Sequence, residues 1–221
     1  MHTSQQLYRD KEEQYYLFDR EDMLPFVPAG IRHVLDVGCS SGGFGKLLKE
    51  KFGCEVWGVE PGNAAAEAGK HLDRVYQCFF DENIDFGEKK FDLIIFNDVL
   101  EHLADPWTTL RFASTLLAPS GRVMASIPNV QCYTVIKDLV MHGRFDYTSS
   151  GILDKTHLRF FTRKGILELF QSTGFGIERI EGMHSVDYCS RFLRLMKVIV
   201  PKKAEPFRYV SYGVLTSPIK L

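Results

Sequence analysis

From Ile31 to Pro128 the chain repeats one alternation, a short apolar run, a turn, then a longer stretch whose apolar positions recur at helical spacing. Short apolar runs bounded by glycine, proline or acidic residues are strands, and strands alternating with helices build a parallel sheet with crossover connections. Strands are predicted at 33–38 (HVLDVG), 55–60 (EVWGVE), 74–80 (RVYQCFF), 91–98 (FDLIIFND) and 122–128 (RVMASIP). LIIF and VLDVG lack polar alternation, as expected of central strands covered on both faces. Helices are predicted at FGKLLKEKF, between the first two strands, and at DPWTTLRFASTLL, which Asp105 caps and Pro106 opens. Farther on, GILELFQST at 165–173 is helical up to Gly174, and FGIERIEGM and RYVSYGVLTS read as two more strands forming an antiparallel edge. The predicted architecture is an α/β sheet of seven mostly parallel strands with helices on both faces.

Three stretches depart from this alternation. Residues 1–29 read as an amphipathic helical cap over the mouth of the core, with Tyr15, Tyr16, Leu17 and Phe18 bunched ahead of Pro25 and Pro28. Residues 129–164 carry more polar and aromatic side chains than a crossover helix needs and read as a substrate-side insertion beside the carboxyl ends of the strands. RFLRLMKVIV at 191–200 is a helix that could cover the sheet edge or pair two copies as a homodimer, and KKAEPFR after it reads as a solvated turn. A length of 221 residues suits one domain (1–221) with these elaborations: a core at 31–128 and a C-terminal helix with edge strands at 165–221.

Composition narrows the partners. The 27 basic and 28 acidic residues are spread along the whole chain, so no basic stripe favours nucleic acid. The five cysteines are scattered, suit free thiols in a reducing cytoplasm, and include no pair at zinc-ligand spacing, so no metal is expected. No window reaches the roughly 18 uncharged apolar residues of a membrane span, which leaves the cytoplasm as the expected location.

The chemistry starts at VLDVGCSSGGFG, where a strand carrying Asp36 runs into Gly38, Gly42, Gly43 and Gly45 before a helix. Such a turn lets a ligand lie on bare backbone at a helix N-terminus. The next strand ends in Glu60, placed to take the two hydroxyls of a ribose. A dinucleotide fingerprint would need glycine where GCSSGG has serine, and Asp36 ahead of Gly38 suits a cationic cofactor without phosphate.

On these residues the chain resembles the class I S-adenosylmethionine-dependent methyltransferases, whose fold is Rossmann-like. VLDVGCSSGGFG is similar to that family's first motif, VWGVEPG to its acidic second strand, and FDLIIFNDVLEHLADP to its fourth strand and following loop. The resemblance implies S-adenosyl-L-methionine as cofactor and S-adenosyl-L-homocysteine as product. It implies that Asp36, Gly38, Ser40 and Gly42 line the amino-acid and sulfonium end and that Glu60 holds the ribose. Pro61 and Gly62 would flank adenine, Asn97, Asp98 and Val99 to Leu100 would close the pocket, and Tyr16 could reach the methionine carboxylate. The family's acidic adenine contact after the third strand aligns with Phe79, which leaves Asp81 as its nearest candidate.

Within the insertion, DKTHLR gathers Asp154, His157 and Arg159, able to orient an imidazole, remove a hydroxyl proton and pin an anion. The plainer alternative is that Asp154 caps a turn while His157 and Arg159 tie loop backbone together. His102, in DVLEHLADP, is the rival base, and Glu101 beside it reads as a helix-start carboxylate. The stretch from IPNV through GRFDYTSSGILDKTHLRFFT also resembles a methyltransferase subgroup associated with bacterial glycosyltransferases of surface-polysaccharide synthesis, which implies a sugar or sugar-nucleotide hydroxyl as acceptor; another small hydroxylated molecule, an amine or a quinone-like phenol would need nearly the same site. A looser resemblance, to the MetW family, implies an accessory protein that binds the cofactor without transferring methyl. A nicotinamide-dependent oxidoreductase would have to work with the broken fingerprint.

Overall fold

The computed structural model describes residues 20–187, 190–199 and 201–219. Within them the order is β1 (His33–Val37), α1 (Gly43–Phe52), β2 (Glu55–Val59), α2 (Ala65–Ala68), β3 (Arg74–Tyr76), β4 (Phe91–Asn97), α3 (Pro106–Leu116), β5 (Leu117–Pro128), α4 (Tyr133–His142), α5 (Arg163–Ser172), β6 (Phe175–Ser185), α6 (Arg191–Ile199), α7 (Pro201–Ala204) and β7 (Tyr209–Pro218). Short 3₁₀ turns lie at Glu21–Phe26, Leu100–His102 and Glu205–Phe207.

The seven strands form one sheet in the order β3-β2-β1-β4-β5-β7-β6. The first five are parallel, and β7 lies antiparallel between β5 and β6. Strand side chains alternate between faces, so Leu35, Val37, Ile94, Phe96, Val123 and Ala125 share one core with Leu110 and Ala113 of α3 and Ile166 and Phe170 of α5. Val34, Val56, Leu93, Ile95 and Met124 share the other with Phe44 and Leu48 of α1 and with Met23 and Phe26. The uninterrupted apolar runs are thus buried on both faces. Asp105 caps α3 through the Thr108 amide at 3.1 Å, with Pro106 in the first turn, and Thr162 caps α5 through the Gly165 amide at 3.1 Å. Each such cap is worth about 1 kcal/mol.

Several boundaries differ from the sequence expectation. β3 stops at Tyr76 instead of continuing to residue 80, because it is the outermost strand and pairs only with Trp57–Val59 of β2. Phe80, freed from the sheet, turns inward against Phe86, Phe96 and Phe112. β5 begins earlier, at Leu117 opposite Phe91, and residues 118–121 loop out before Arg122 meets Leu93. The KKAEPFR stretch is packed and partly helical: Ala204 is buried and the Pro206 carbonyl accepts the Asn129 side-chain amide at 2.7 Å. In α6, Leu193 is buried beside Cys132 and Val186 while Leu195, Val198 and Ile199 are exposed. Of the predicted N-terminal cap, Tyr15 to Phe18 lie outside the described residues, and the turn at Glu21–Phe26 docks on the sheet. Phe26 covers Gly213 of β7, where a Cβ would come within 2.4 Å of the ring, and the Arg179 guanidinium stacks on Phe26 at 4.5 Å. That docking carries Arg20 to the carboxyl ends of β1 and β4.

Candidate active site

Strand order reverses between β1 and β4, since β2 continues the sheet to one side and β5 to the other. The crevice beyond such a switch point is where ligands bind in open α/β sheets. Two adjoining cavities occupy it here. The larger, about 380 Å³, is lined by Arg20, Asp36, Gly38, Ser40, Asn97, Asp98, Val99, Glu101, Ile152 and His157 among others. The smaller, about 110 Å³, is bounded by Val37, Val59, Pro61, Phe79, Phe80, Leu103, His102 and Thr156, and it shares Gly38 and Val99 with the first.

Gly38 has φ of 72°, and a Cβ there would lie 2.6 Å from Cγ2 of Val99. A side chain at this position would therefore fill the junction of the two cavities. Gly42, with φ of 83°, is on neither lining; its Cβ would meet the backbone of Ala68 at 3.0 Å. It turns the loop into α1 against α2, and the fully buried Glu60 is likewise on neither lining. Ser40 and Asp98, both on the larger cavity's wall, hold positive φ, 52° and 54°. Strained non-glycine residues of this kind concentrate at functional sites.

The acidic residues are deeply set. Glu60 is fully buried, and its carboxylate accepts the Ser40 amide at 3.0 Å and the Gly62 amide at 2.7 Å. Burial raises its pKa despite these two hydrogen bonds. Asp36 is pushed up to about 7 by burial and by the neighbouring Glu60, with Arg20 opposing the rise. Arg20 donates to Asp98 and, at 3.1 Å, to Asp22, whose other oxygen faces Nε2 of His184 at 3.1 Å. Arg20 was absent from the sequence expectations because the charged N-terminal segment has no motif spacing to single it out. Tyr16, expected in a similar place, lies outside the described residues. Asp98 is held further by Ser126, whose hydroxyl donates to it at 2.9 Å.

The donor set fits the cofactor implied by the resemblance. Ser40 Oγ and Asn97 Oδ1 are buried on the larger cavity's wall with no hydrogen-bond partner among the described residues. Carboxylates at Asp36 and Asp98 suit a cationic amino-acid end, and the apolar slot between Pro61, Phe79 and Leu103 suits a flat base. Asp81 does not join this slot. It is exposed, and its carboxylate accepts the Asn83 amide at 2.9 Å, because the chain leaves the sheet before reaching it.

The expected catalytic residues separate into two groups. His157 is buried on the larger cavity's wall, with Nδ1 3.0 Å from the Ile152 carbonyl and Nε2 3.9 Å from Glu101 Oε1. His102 packs edge-on against it, ring centroids 4.7 Å apart, with Nδ1 3.2 Å from the Thr156 carbonyl. Glu101 stands in the first turn of the 3₁₀ helix Leu100–His102, as the helix-start reading has it, yet it is 1% exposed and reaches the larger cavity. Asp154 and Arg159 take the plainer roles. Asp154 accepts the Thr156 amide at 2.8 Å and the Thr156 hydroxyl at 2.6 Å. Arg159 lies outside both cavities, where its guanidinium donates to the Ala104 carbonyl and sits 5.8 Å from the Trp107 ring, so it does not pin an anion in the cavity.

Comparison with known proteins places this geometry. A family profile described as "Methyltransferase domain" matches residues 8–180. The ubiquinone biosynthesis O-methyltransferase of Nitrobacter winogradskyi is 31% identical over 177 residues, 75% of this chain and 64% of the relative. The protein of the same name from Coxiella burnetii (strain Dugway 5J108-111) is 28% identical over 158 residues, 65% of this chain and 66% of the relative. The chain thus spans just under two thirds of these relatives' length. Among solved structures, the CcbJ methyltransferase of Streptomyces caelestis superposes with a TM-score of 0.65 at 15% identity, covering 97% of this chain and 98% of that one. A methyltransferase from Haloferax volcanii, solved with the Trm112 activator, gives 0.62 at 13% identity over 94% and 92%. These two establish likeness of fold, the class I methyltransferase sheet. With the family match over most of its length and a switch-point crevice built to suit it, the chain belongs to the methyltransferase domain family, and its cofactor is S-adenosylmethionine.

Proposed function

We propose that the chain transfers the methyl group of S-adenosylmethionine to a hydroxyl of a small acceptor, a phenolic ring being the favoured class. The observation that carries this reading is the larger cavity, whose wall runs from Asp36, Gly38 and Ser40 at one end to Glu101 and His157 at the other. The cofactor end and a proton-accepting end thus share one space.

In this reading Asp36 and Asp98 face the cationic amino-acid end, Arg20 its carboxylate, and Glu60 the ribose hydroxyls, using lone pairs beyond those given to Ser40 and Gly62. Pro61, Phe79 and Leu103 enclose the adenine. When bound, the cofactor supplies an electrophilic methyl on a sulfonium. The acceptor oxygen forms its bond to that carbon as the carbon–sulfur bond breaks, sulfur keeps the electron pair, and the hydroxyl proton passes to an imidazole. Because Nδ1 of His157 faces a carbonyl oxygen, it carries the hydrogen, and Nε2 is the accepting nitrogen. His102 stands in the same relation to Thr156. The protein's contribution is otherwise alignment of the two reactants.

The names of the relatives favour oxygen as the methylated atom and a quinone-like phenol as acceptor. Beside His157, outside the lining of either cavity, Phe145, Tyr147 and Phe160 form one aromatic group with its ring. The sugar reading rests on the resemblance of residues 127–170. A sugar nucleotide needs cations for its phosphates, and Arg20, the one arginine or lysine on the larger cavity's wall among the described residues, is in this reading taken by the cofactor's carboxylate beside Asp98 and Asp22.

Labelled S-adenosylmethionine incubated with the purified chain and either a phenolic diol or a uridine diphosphate sugar separates these readings. Transfer to the phenol supports the favoured one, and transfer only to the sugar replaces it. Binding of S-adenosylhomocysteine with no transfer to either, or to amines, would favour the accessory, MetW-like reading. The cytoplasm remains the expected location, in keeping with the free thiols of Cys39, Cys54, Cys78 and Cys132; no described helix is long and apolar enough to cross a membrane. A homodimer would use the exposed α6 face, which light scattering of the purified protein tests.

A further inference from the structure

We propose that Glu101, His102 and His157 form a binding site for one divalent transition-metal ion where the two cavities adjoin, Glu101 and His157 lining the larger and His102 the smaller. The three side chains each offer a ligand atom, and these atoms lie within 4.8 Å of one another. Two imidazoles and one carboxylate are a donor set that zinc and related ions take with positions left open for water or substrate. Ligands of a tetrahedral ion with bonds near 2.1 Å stand about 3.4 Å apart, so the donor atoms would have to close by up to about 1.4 Å to complete the set.

The surroundings of the two histidines carry the argument beyond proximity. A metal-bound imidazole almost always donates its other N–H to a carbonyl or carboxylate, which fixes the tautomer and ring plane. Both histidines are arranged this way: His157 Nδ1 lies 3.0 Å from the Ile152 carbonyl, and His102 Nδ1 3.2 Å from the Thr156 carbonyl. Behind His102, Thr156 is itself held by the buried Asp154. With Nδ1 donating to the carbonyl, Nε2 is the ligand nitrogen this site would use on each ring. Nε2 of His157 is 3.9 Å from Glu101 Oε1. Glu101 and His157 are buried yet on the cavity wall, so the open positions of an ion would face an incoming acceptor.

The site deepens the transfer reading above, though its occupancy can be measured without it. A hydroxyl coordinated to such an ion loses its proton near neutral pH. The ion then does the work assigned above to a free imidazole, and the proton leaves to solvent.

The test uses the full chain stripped with a chelator, then titrated with Co²⁺ and with Zn²⁺ alone, with and without S-adenosylhomocysteine. The expected result is one equivalent per chain, with visible Co²⁺ bands characteristic of imidazole ligation. His102→Ala, His157→Ala and Glu101→Gln should each weaken uptake by about a hundredfold or more. His184→Ala, on the same cavity wall but outside the trio, should keep it. Retained S-adenosylhomocysteine affinity in the variants shows that they fold. No stoichiometric uptake by the wild-type chain, or uptake undiminished in both histidine variants, would overturn the site. Uptake without transfer to any hydroxyl would leave the site standing and count against the acceptor reading.

Discussion

The carboxylate of Glu60, at the end of β2, accepts a hydrogen bond from the backbone amide of Ser40, twenty residues earlier in the glycine-rich loop after β1. The same carboxylate takes the Gly62 amide, so one buried side chain fixes the loops after both strands. A residue proposed to hold the ribose thus also shapes the wall against which the rest of the cofactor lies.

Removing that carboxylate should therefore cost both binding and stability. Glu60→Ala leaves two amides without their acceptor, a loss of about 1–3 kcal/mol in stability for each that stays buried. S-adenosylhomocysteine affinity should fall at least about tenfold, the equivalent of 1.4 kcal/mol. Glu60→Gln retains the shape and one acceptor oxygen and should recover more of the stability than of the affinity. Calorimetric titration and thermal unfolding measure the two effects separately. Unchanged affinity in Glu60→Ala would remove the residue from the ribose site.

Gly38 and Val99 make a paired prediction. Alanine at 38 meets two penalties: a left-handed backbone, worth about 1–2 kcal/mol for a residue with a Cβ, and the contact with Val99 at 2.6 Å. Gly38→Ala should lower stability and weaken S-adenosylhomocysteine binding. Adding Val99→Ala removes only the steric part, so the double variant should recover some stability in a thermodynamic cycle. Strict additivity of the two substitutions would show that Val99 is not what excludes a side chain at 38.

Much of this arrangement could be read in advance, for identifiable reasons. β1 and β4 are apolar without interruption because both faces are covered, and Asp36, Gly38 and Glu60 sit in continuous motifs whose spacing reflects one βαβ unit. The rest depends on contacts distant in sequence. Arg20 reaches Asp98 only because Phe26 docks on Gly213. Glu101 and His102 meet His157 only because the insertion folds back, the Leu158 and Arg159 amides both donating to the Glu101 carbonyl. No local spacing encodes a trio drawn from two segments, and the expectation of no metal rested on cysteine spacing alone. Asp81 failed for a different reason: an edge strand ends where its single neighbour ends, so residues 77–81 are not in the sheet.

Asp154 offers a test of positioning at a distance from the reacting atoms. It is buried and fixes Thr156, which in turn faces Nδ1 of His102. Asp154→Ala leaves the Thr156 amide without its acceptor and should destabilise by about 1–3 kcal/mol. Methyl transfer should slow at least about tenfold, as for other residues that orient a catalytic or ligating histidine, and by more than S-adenosylhomocysteine affinity falls, although Thr156 and His102 also bound the smaller cavity. Asp154→Asn keeps an acceptor oxygen and should restore part of the rate. Equal losses in rate and cofactor affinity would mean that the substitution had collapsed the whole crevice.

Asp36 makes the site sensitive to pH in a direction that its burial dictates. Its carboxyl is raised from 3.8 to about 7 in the folded chain, first by desolvation and then by Glu60. Between those two values the folded state holds a proton that the unfolded state has released, so stability falls as pH rises across that window and the deficit persists above it. Asp36→Asn cannot ionise and should therefore gain on the wild type as pH rises from 4 to 7, by a few kcal/mol at most. Binding runs the opposite way. A cationic amino-acid end requires the ionised carboxylate, so below pH 7 binding must release the Asp36 proton, and S-adenosylhomocysteine affinity should climb with pH and level off above about 7. Calorimetry in two buffers of different ionisation enthalpy counts that proton directly. Asp36→Asn should bind more weakly at pH 8 and lose the slope; an identical slope in the variant would assign the released proton to another group.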